Sequence, residues 1–250
     1  MEKIYLSLVI PAYNEEENIK SGALESVYHY LKKQKYSWEV LIVDDGSIDK
    51  TTFLAEKFSR EHKNFKVYQE PHRGKAGAVI AGMLVASGQI ILFTDMDQAT
   101  PINQLAKVLP QFERGKYDIV IGSRQGREGA PFIRKAMAYG FKILRILILG
   151  LGYSDTQCGF KAFNKKTVKQ VFERMQVFTE KRALEGSAVT AGFDLELLYI
   201  AKKLGLKVVE VPVIWHHKGT LRVNPIKDSW QALKDLTRVR ISAFLGRYNV

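Results

Sequence analysis

Cysteine is almost absent: Cys158 is the only one among 250 residues. A single thiol excludes a disulfide framework within the chain and fits a reducing compartment. Long apolar runs are missing too. The most hydrophobic streak, Phe141 to Tyr153, is shorter than the ~20 residues that cross a bilayer, and it is interrupted by Lys142 and Arg145. The opening residues, MEKIYLSLVIPAYNE, hold no extended apolar core of a secretory signal, so a soluble or peripheral protein is expected. Acidic residues are outnumbered, 26 against 38 basic ones, leaving a formal charge of +12. That imbalance points to an anionic partner: nucleic acid, a phosphate-bearing substrate or a membrane surface. No RNP-like aromatic signature, zinc-finger spacing or basic zipper supports nucleic acid, which is therefore not an expected partner. There is no GxGxxG and no Walker A lysine loop, which argues against a dinucleotide-dependent dehydrogenase and a P-loop NTPase. The five histidines fall into no metal-ligand spacing. Nor is there a low-complexity tract or an internal repeat. What remains is an ordinary globular composition and enough chain to bury a substantial core, read as a single α/β domain over residues 1–250.

Four apolar runs mark the first half: Leu6–Ile10, Val40–Val43, Lys66–Tyr68 with its neighbours, and Ile90–Phe93. Helical patterns over 15–33, 50–62 and 75–86 separate them, and a fifth run, Asp118–Ile121, follows a helical pattern over 102–115. Strands alternating with helices of this length predict βαβ units and a mostly parallel sheet flanked by helices. The second half reads as helices over 128–153, 165–175, 194–204 and 227–246, with a short strand near 154–165 and another over 208–215.

Ligands of such sheets lie beyond the carboxyl ends of the strands, and polar clusters occupy those ends. They are Pro11-Ala12-Tyr13-Asn14-Glu15, Asp44-Asp45-Gly46-Ser47, Asp95-Met96-Asp97 and Gly122-Ser123-Arg124. Asp95 and Asp97, one residue apart after a buried strand, suit a hard divalent cation such as Mg²⁺ or Mn²⁺, which takes oxygen ligands and commonly holds substrate phosphates. The same residues are compatible with a polar turn and a helix cap near Thr100-Pro101. An acidic residue at Asp44-Asp45 can accept hydrogen bonds from a base or ribose, or else cap the helix that starts near Asp49. His72-Arg73-Gly74-Lys75 brings positive charge to a helix start, where anions bind readily, and reads equally as a solvated basic loop.

Together these segments resemble a known family. VIPAYNEEENI, EVLIVDDGSIDKT, HRGKAGAV, the DMD pair and IGSR occur in the order found in inverting family 2 glycosyltransferases of GT-A fold. SDTQCGFKAF (154–163), AGFDLELLYIAKKLG (191–205) and VPVIW (211–215) narrow the resemblance to dolichyl-phosphate glucosyltransferases and their prokaryotic polyprenyl-phosphate relatives. The resemblance implies glucose transfer from UDP-glucose to a polyprenyl or dolichyl phosphate, with Mg²⁺ or Mn²⁺. GDP-mannose as donor and a non-lipid acceptor are the alternatives. It implies that Pro11, Ala12, Tyr13 and Glu15 line the nucleotide pocket, and that Asp45 contacts the uracil with Lys75 nearby. Asp95 and Asp97 match the metal and donor-sugar carboxylates. Arg124, Arg134 and Arg222 are implied to meet the acceptor phosphate, with Asp97, Arg124 and Arg134 as the catalytic set. Gln98-Ala99 after the second Asp, and Thr220-Leu221 before Arg222, depart from the patterns of the relatives.

A lipid acceptor requires a membrane surface, and the implied location is peripheral, on the cytoplasmic face. The stretches 128–153 and 227–246 are the candidate docking helices. Phe141, Leu144, Leu147, Trp230 and Phe244 supply apolar surface, and Arg134, Lys135, Lys142, Arg145, Lys234 and Arg240 face anionic headgroups. On the residues alone either stretch reads first as an amphipathic helix packed on the core; the resemblance implies membrane docking for at least the first.

Overall fold

The computed structural model describes residues 3–113, 115–124, 132–177, 192–216 and 225–249; for 132–138 and 225–229 it describes the backbone. Its strands are β1 (Leu6–Ala12), β2 (Trp38–Asp44), β3 (Phe65–Gln69), β4 (Ile90–Phe93), β5 (Ile119–Arg124), β6 (Lys161–Asn164) and β7 (Val208–Val213). They form one seven-stranded sheet in the order β3-β2-β1-β4-β6-β5-β7. Only β6 runs antiparallel, between β4 and β5; the β1–β2, β1–β4, β2–β3 and β5–β7 pairs are parallel.

Every residue of β1 and β4 is buried, as a parallel sheet covered on both faces requires. Alternation splits the side chains between two cores. Leu6, Leu8 and Ile10 enter one, with Leu24, Val27, Leu105 and Val108. Val9, Leu41, Ile91 and Phe93 enter the other, with Val79, Met83, Leu197 and Tyr199. The layers are completed by α1 (Glu16–Lys20), α2 (Ala23–Leu31), α3 (Thr51–Glu61), α4 (Gly74–Val85), α5 (Leu105–Glu113), α6 (Phe132–Leu149), α7 (Lys165–Phe172), α8 (Gly192–Lys203) and α9 (Pro225–Phe244).

The helix expected over 15–33 is two helices. Gly22 adopts φ 89° between α1 and α2, a left-handed conformation open to glycine that ends one helix before the next begins. The expected 102–115 helix opens with a single 3-10 turn, Ile102–Gln104, before α5. The strand near 154–165 is β6, and its antiparallel insertion was not legible in a run of four residues.

The chain leaves β1 toward β2 and β3, then returns to β4 on the other side of β1. This reversal opens a crevice at the carboxyl ends of β1 and β4, the usual ligand position in open α/β sheets. No helix among the described residues is long and apolar enough to cross a membrane.

Candidate active site

The loops after β1 and β2 are stitched into one unit. Asn14 N donates to Ser47 Oγ at 3.0 Å, and Asn14 Oδ1 accepts from Ile48 N at 3.0 Å. Glu15 N donates to Thr51 Oγ1 at 2.7 Å, and Glu16 N to Asp49 Oδ2 at 3.2 Å. Pro11 and Ala12 are the buried end of β1, opposite Val43 and Asp44, and they fix where Tyr13 emerges. The two adjacent acids then divide their work. Asp44 accepts from the Ser47 and Thr52 hydroxyls, a local turn role. Asp45, 1% exposed, accepts from Arg73 N at 2.8 Å and from His72 Nδ1 at 2.8 Å. The Asp45 carbonyl also lies 3.0 Å from that nitrogen, so both neighbours are acceptors and Nδ1 carries the proton. His72 stacks on Tyr13, with ring centroids 4.1 Å apart and planes at 14°. Asp45 thus orients a Tyr13–His72 aromatic platform.

After β4, Met96 is buried in the core while Asp95 and Asp97 stay partly exposed. Gln98 takes φ 51°, its N–H returns to the Asp95 carbonyl at 3.2 Å, and Asp97 Oδ1 accepts from Ala99 N at 2.9 Å. The polar turn is therefore present, without a side-chain cap on the 3-10 turn that follows, and it carries both carboxylates. Lys75, in the first turn of α4, forms an ion pair with Asp95 Oδ1. Desolvation pulls the Lys75 ammonium down, but Asp95, Asp194 and Asp97 outweigh it and the net direction is up, so it stays cationic. Gly159 packs directly on the Asp95 carboxylate.

Asp194 and Lys161 were not singled out from sequence as site residues. Lys161, fully buried, donates to Asp194 Oδ1 at 2.6 Å and to the Cys158 carbonyl. Burial pushes the Asp194 carboxyl up, and Lys161 and Lys75 pull it only part of the way back. The available signal was a charge set in an apolar run: Lys161 alone in GFKAF, and Asp194 with Glu196 in GFDLELL.

On the β5 side, Arg124 grips Asp155 through Nε at 2.6 Å and Nη2 at 2.9 Å, and its guanidinium lies 5.5 Å from the Trp215 ring centroid. Burial pushes the Asp155 carboxyl up, but Arg124 and nearby backbone N–H groups pull it further down, to about 2. Glu210 on β7 accepts from Ser154 N and Asp155 N at 2.8 and 2.9 Å, fixing the loop that carries Asp155. The segment after β7 closes onto the DMD turn, with His216 N donating to the Ala99 carbonyl at 2.7 Å.

Arg134 lies on the backbone of α6 with its side chain outside the described residues, and Arg222 lies outside them altogether. Arg145 corrects an expectation. It is 4% exposed, and it donates to Leu151 O at 3.1 Å, to Thr156 Oγ1 at 3.0 Å and to Tyr153 O. It pins the loop after α6 and is not a headgroup contact. Among the described residues no cluster of three or more His, Cys, Asp or Glu could hold a metal. The Asp95–Asp97 pair fits an ion bound by one or two carboxylates and completed by substrate phosphates, and does not fit an all-protein cage.

Residues 7–172 match the family model for glycosyl transferase family 2. The chain belongs to that family. This glycosyltransferase is similar along its whole length to dolichyl-phosphate beta-glucosyltransferases. The one from Dictyostelium discoideum is 32% identical over 266 residues, covering 100% of this chain and 78% of that protein. The one from Saccharomyces cerevisiae is 31% identical over 270 residues, covering 99% and 77%. Among solved structures, glucosyl-3-phosphoglycerate synthase from Mycobacterium tuberculosis, crystallised with Mn²⁺, UDP and glucosyl-3-phosphoglycerate, superposes with a TM-score of 0.63 at 19% identity over 99% of this chain and 81% of its own. That likeness establishes the GT-A fold of this glycosyltransferase.

Proposed function

We propose that this glycosyltransferase moves glucose from UDP-glucose to a dolichyl or polyprenyl phosphate, with inversion, at a membrane surface. The observation that carries the reading is the full-length similarity to dolichyl-phosphate beta-glucosyltransferases, supported by two carboxylates, a paired lysine and an aromatic platform around the β1/β4 crevice.

Tyr13 and His72 would seat the uracil, with Asp45 orienting the platform and Glu15 at its edge. Asp97, with Asp95 beside it, would hold Mg²⁺ or Mn²⁺ against the donor pyrophosphate; bound there, the ion supplies charge neutralisation for the departing UDP. Lys75 would bring a fixed positive charge to the same phosphates. The acceptor monophosphate has a second pKa near ~6 and is largely dianionic at neutral pH. One of its oxygens can attack the anomeric carbon as the bond to UDP breaks, with no proton to remove. Arg124, held rigid by Asp155, would position that phosphate with Arg134 and Arg222 and limit its repulsion from UDP.

Exposed apolar side chains give the lipid surface its contact. On α6, Tyr139, Ile143 and Leu147 repeat at helical spacing, and on α9 Trp230, Ile241 and Phe244 do the same, beside exposed Lys234, Arg240 and Arg247. The two helices pack on each other. Apolar groups flanked by cations suit an anionic leaflet, placed here on the cytoplasmic side.

A transfer assay tests the reading, with polyprenyl phosphate in detergent, Mn²⁺, and UDP-glucose beside GDP-mannose. Glucosyl-lipid from UDP-glucose is expected, with Asp97→Ala at least ~10²-fold slower. Product from another donor, or only with a soluble phosphate acceptor, would replace the donor or the acceptor in this reading.

A further inference from the structure

A fully buried lysine in the middle of a sheet needs a reason. Lys161 is 0% exposed, and its β6 neighbours Ala162 and Phe163 are equally buried and apolar. Taking an ammonium and a carboxylate out of water is costly, and a well-packed apolar pair of similar volume is often as stable or more so. Stability alone therefore gives Lys161 and Asp194 no advantage over Met and Leu.

Their location supplies one. Register places Lys161 opposite Phe93, the last residue of β4 and two residues before Asp95, and opposite Ile121 on β5. The ammonium lies 5.5 Å from the Phe93 ring centroid. It binds the Cys158 carbonyl, and the next residue, Gly159, abuts the Asp95 carboxylate closely enough to leave no room for a Cβ. It also binds Asp194, whose charge acts on Lys75, the ion-pair partner of Asp95. Charges alternate through two ion pairs, Lys161–Asp194 and Lys75–Asp95, with Asp194 acting on Lys75 through its field and without a direct contact. Asp95 is thus bounded on one side by a turn that Lys161 holds, and on the other by a lysine in the field of an aspartate that Lys161 also holds.

We propose that Lys161 is a positioning residue of the donor site, fixing through the Cys158–Gly159 turn and through Asp194 where the Asp95 carboxylate and the Lys75 ammonium stand when a nucleoside diphosphate and its divalent cation bind. The proposal rests on the donor half of the function given above and is independent of the acceptor. It accounts for retention of a buried ion pair by the geometry the pair sets, with specificity of arrangement and not stability as the gain.

The test uses the purified full chain and titration calorimetry with UDP and Mn²⁺, alongside thermal unfolding. Lys161→Met leaves the largely buried Asp194 without its ion-pair partner and should lower Tm. Lys161→Met combined with Asp194→Asn removes both charges at nearly constant volume and should recover most of that loss. In the double variant, UDP affinity in Mn²⁺ should nonetheless fall about tenfold or more, a shift of ~1.4 kcal/mol. The donor KM should rise likewise, with the acceptor KM unchanged. Recovered Tm together with wild-type UDP affinity and donor KM would reduce the pair to a structural role and overturn the proposal. Asp194→Asn alone, which keeps the Lys161–Cys158 bond, gives the same readout should the double variant not fold. Wild-type protein that binds UDP with Mn²⁺ but glucosylates no polyprenyl phosphate would overturn the proposed function and leave this test standing. Absence of UDP binding by the wild type would overturn both.

Discussion

Adding one methyl group at Gly159 probes the geometry of the Asp95 carboxylate, proposed above for the donor site, without altering any charge. A Cβ built there would lie 2.7 Å from Asp95 Cγ and 2.8 Å from Oδ1, and nearer still to Oδ2. All three atoms belong to one group, so no rotation of the carboxylate about its own axis relieves the clash; Asp95 or the Cys158–Gly159 turn must shift by roughly 1 Å. Misplacement on that scale at a reacting centre costs on the order of 10²-fold in rate. Gly159 is not in the left-handed region, so alanine brings no backbone strain, and the folding cost should stay within the ~1–3 kcal/mol of an overpacked site. Gly88→Ala is the matched control. Its Cβ would lie 2.5 Å from Ser7 N and 2.8 Å from Ile90 O, a similarly close approach, here to backbone and so the costlier for folding, at the opposite, amino edge of the sheet. Both variants should lower Tm. Only Gly159→Ala should lose kcat/KM for glucosyl transfer and affinity for UDP in Mn²⁺, measured well below Tm. Wild-type kcat/KM in Gly159→Ala, or parallel losses in the two variants, would refute the argument that Gly159 sets the position of Asp95.

The Arg124–Asp155 pair should show in acid unfolding. With the Asp155 carboxyl depressed to about 2, its contribution is complete above its ordinary value near ~3.9 and is lost as pH falls toward 2. Asp155→Asn should therefore be less stable than wild type by about 2 kcal/mol in urea at pH 7, with the two curves converging between pH 4 and 2; a constant gap would contradict the pairing. Leu147 and Phe244 are 75% and 87% exposed, so Leu147→Glu and Phe244→Glu should leave Tm nearly unchanged. Each should weaken co-sedimentation with anionic vesicles by roughly 30-fold, since inserting such a side chain is worth about 2 kcal/mol; unaltered co-sedimentation would remove these helices from the lipid contact.

Much of this glycosyltransferase was legible in its residues. Continuous apolar runs that each end in a polar cluster specify a parallel sheet with a ligand edge, because buried strands leave only their ends for chemistry. The order YNE, DDGS, HRGK, DMD gave the expectation of a phosphate site at that edge, and the structure brings Lys75 onto Asp95 with Asp97 near. Division of labour within the clusters was beyond sequence. Asp44 and Asp45 are adjacent, yet one closes a turn and the other holds His72, because a strand end sends neighbouring side chains in opposite directions. Arg145 sits at helical spacing among basic residues, but the loop after α6 folds its carbonyls onto it, and that fold-back has no local signature. Lys161 and Asp194, 33 residues apart, meet only because β6 inserts antiparallel beside β4 and α8 covers that face. Local sequence determined which residue types stand at the ends of the strands. Which charges face one another was decided by long-range packing, since partners distant along the chain are chosen by sheet order and register.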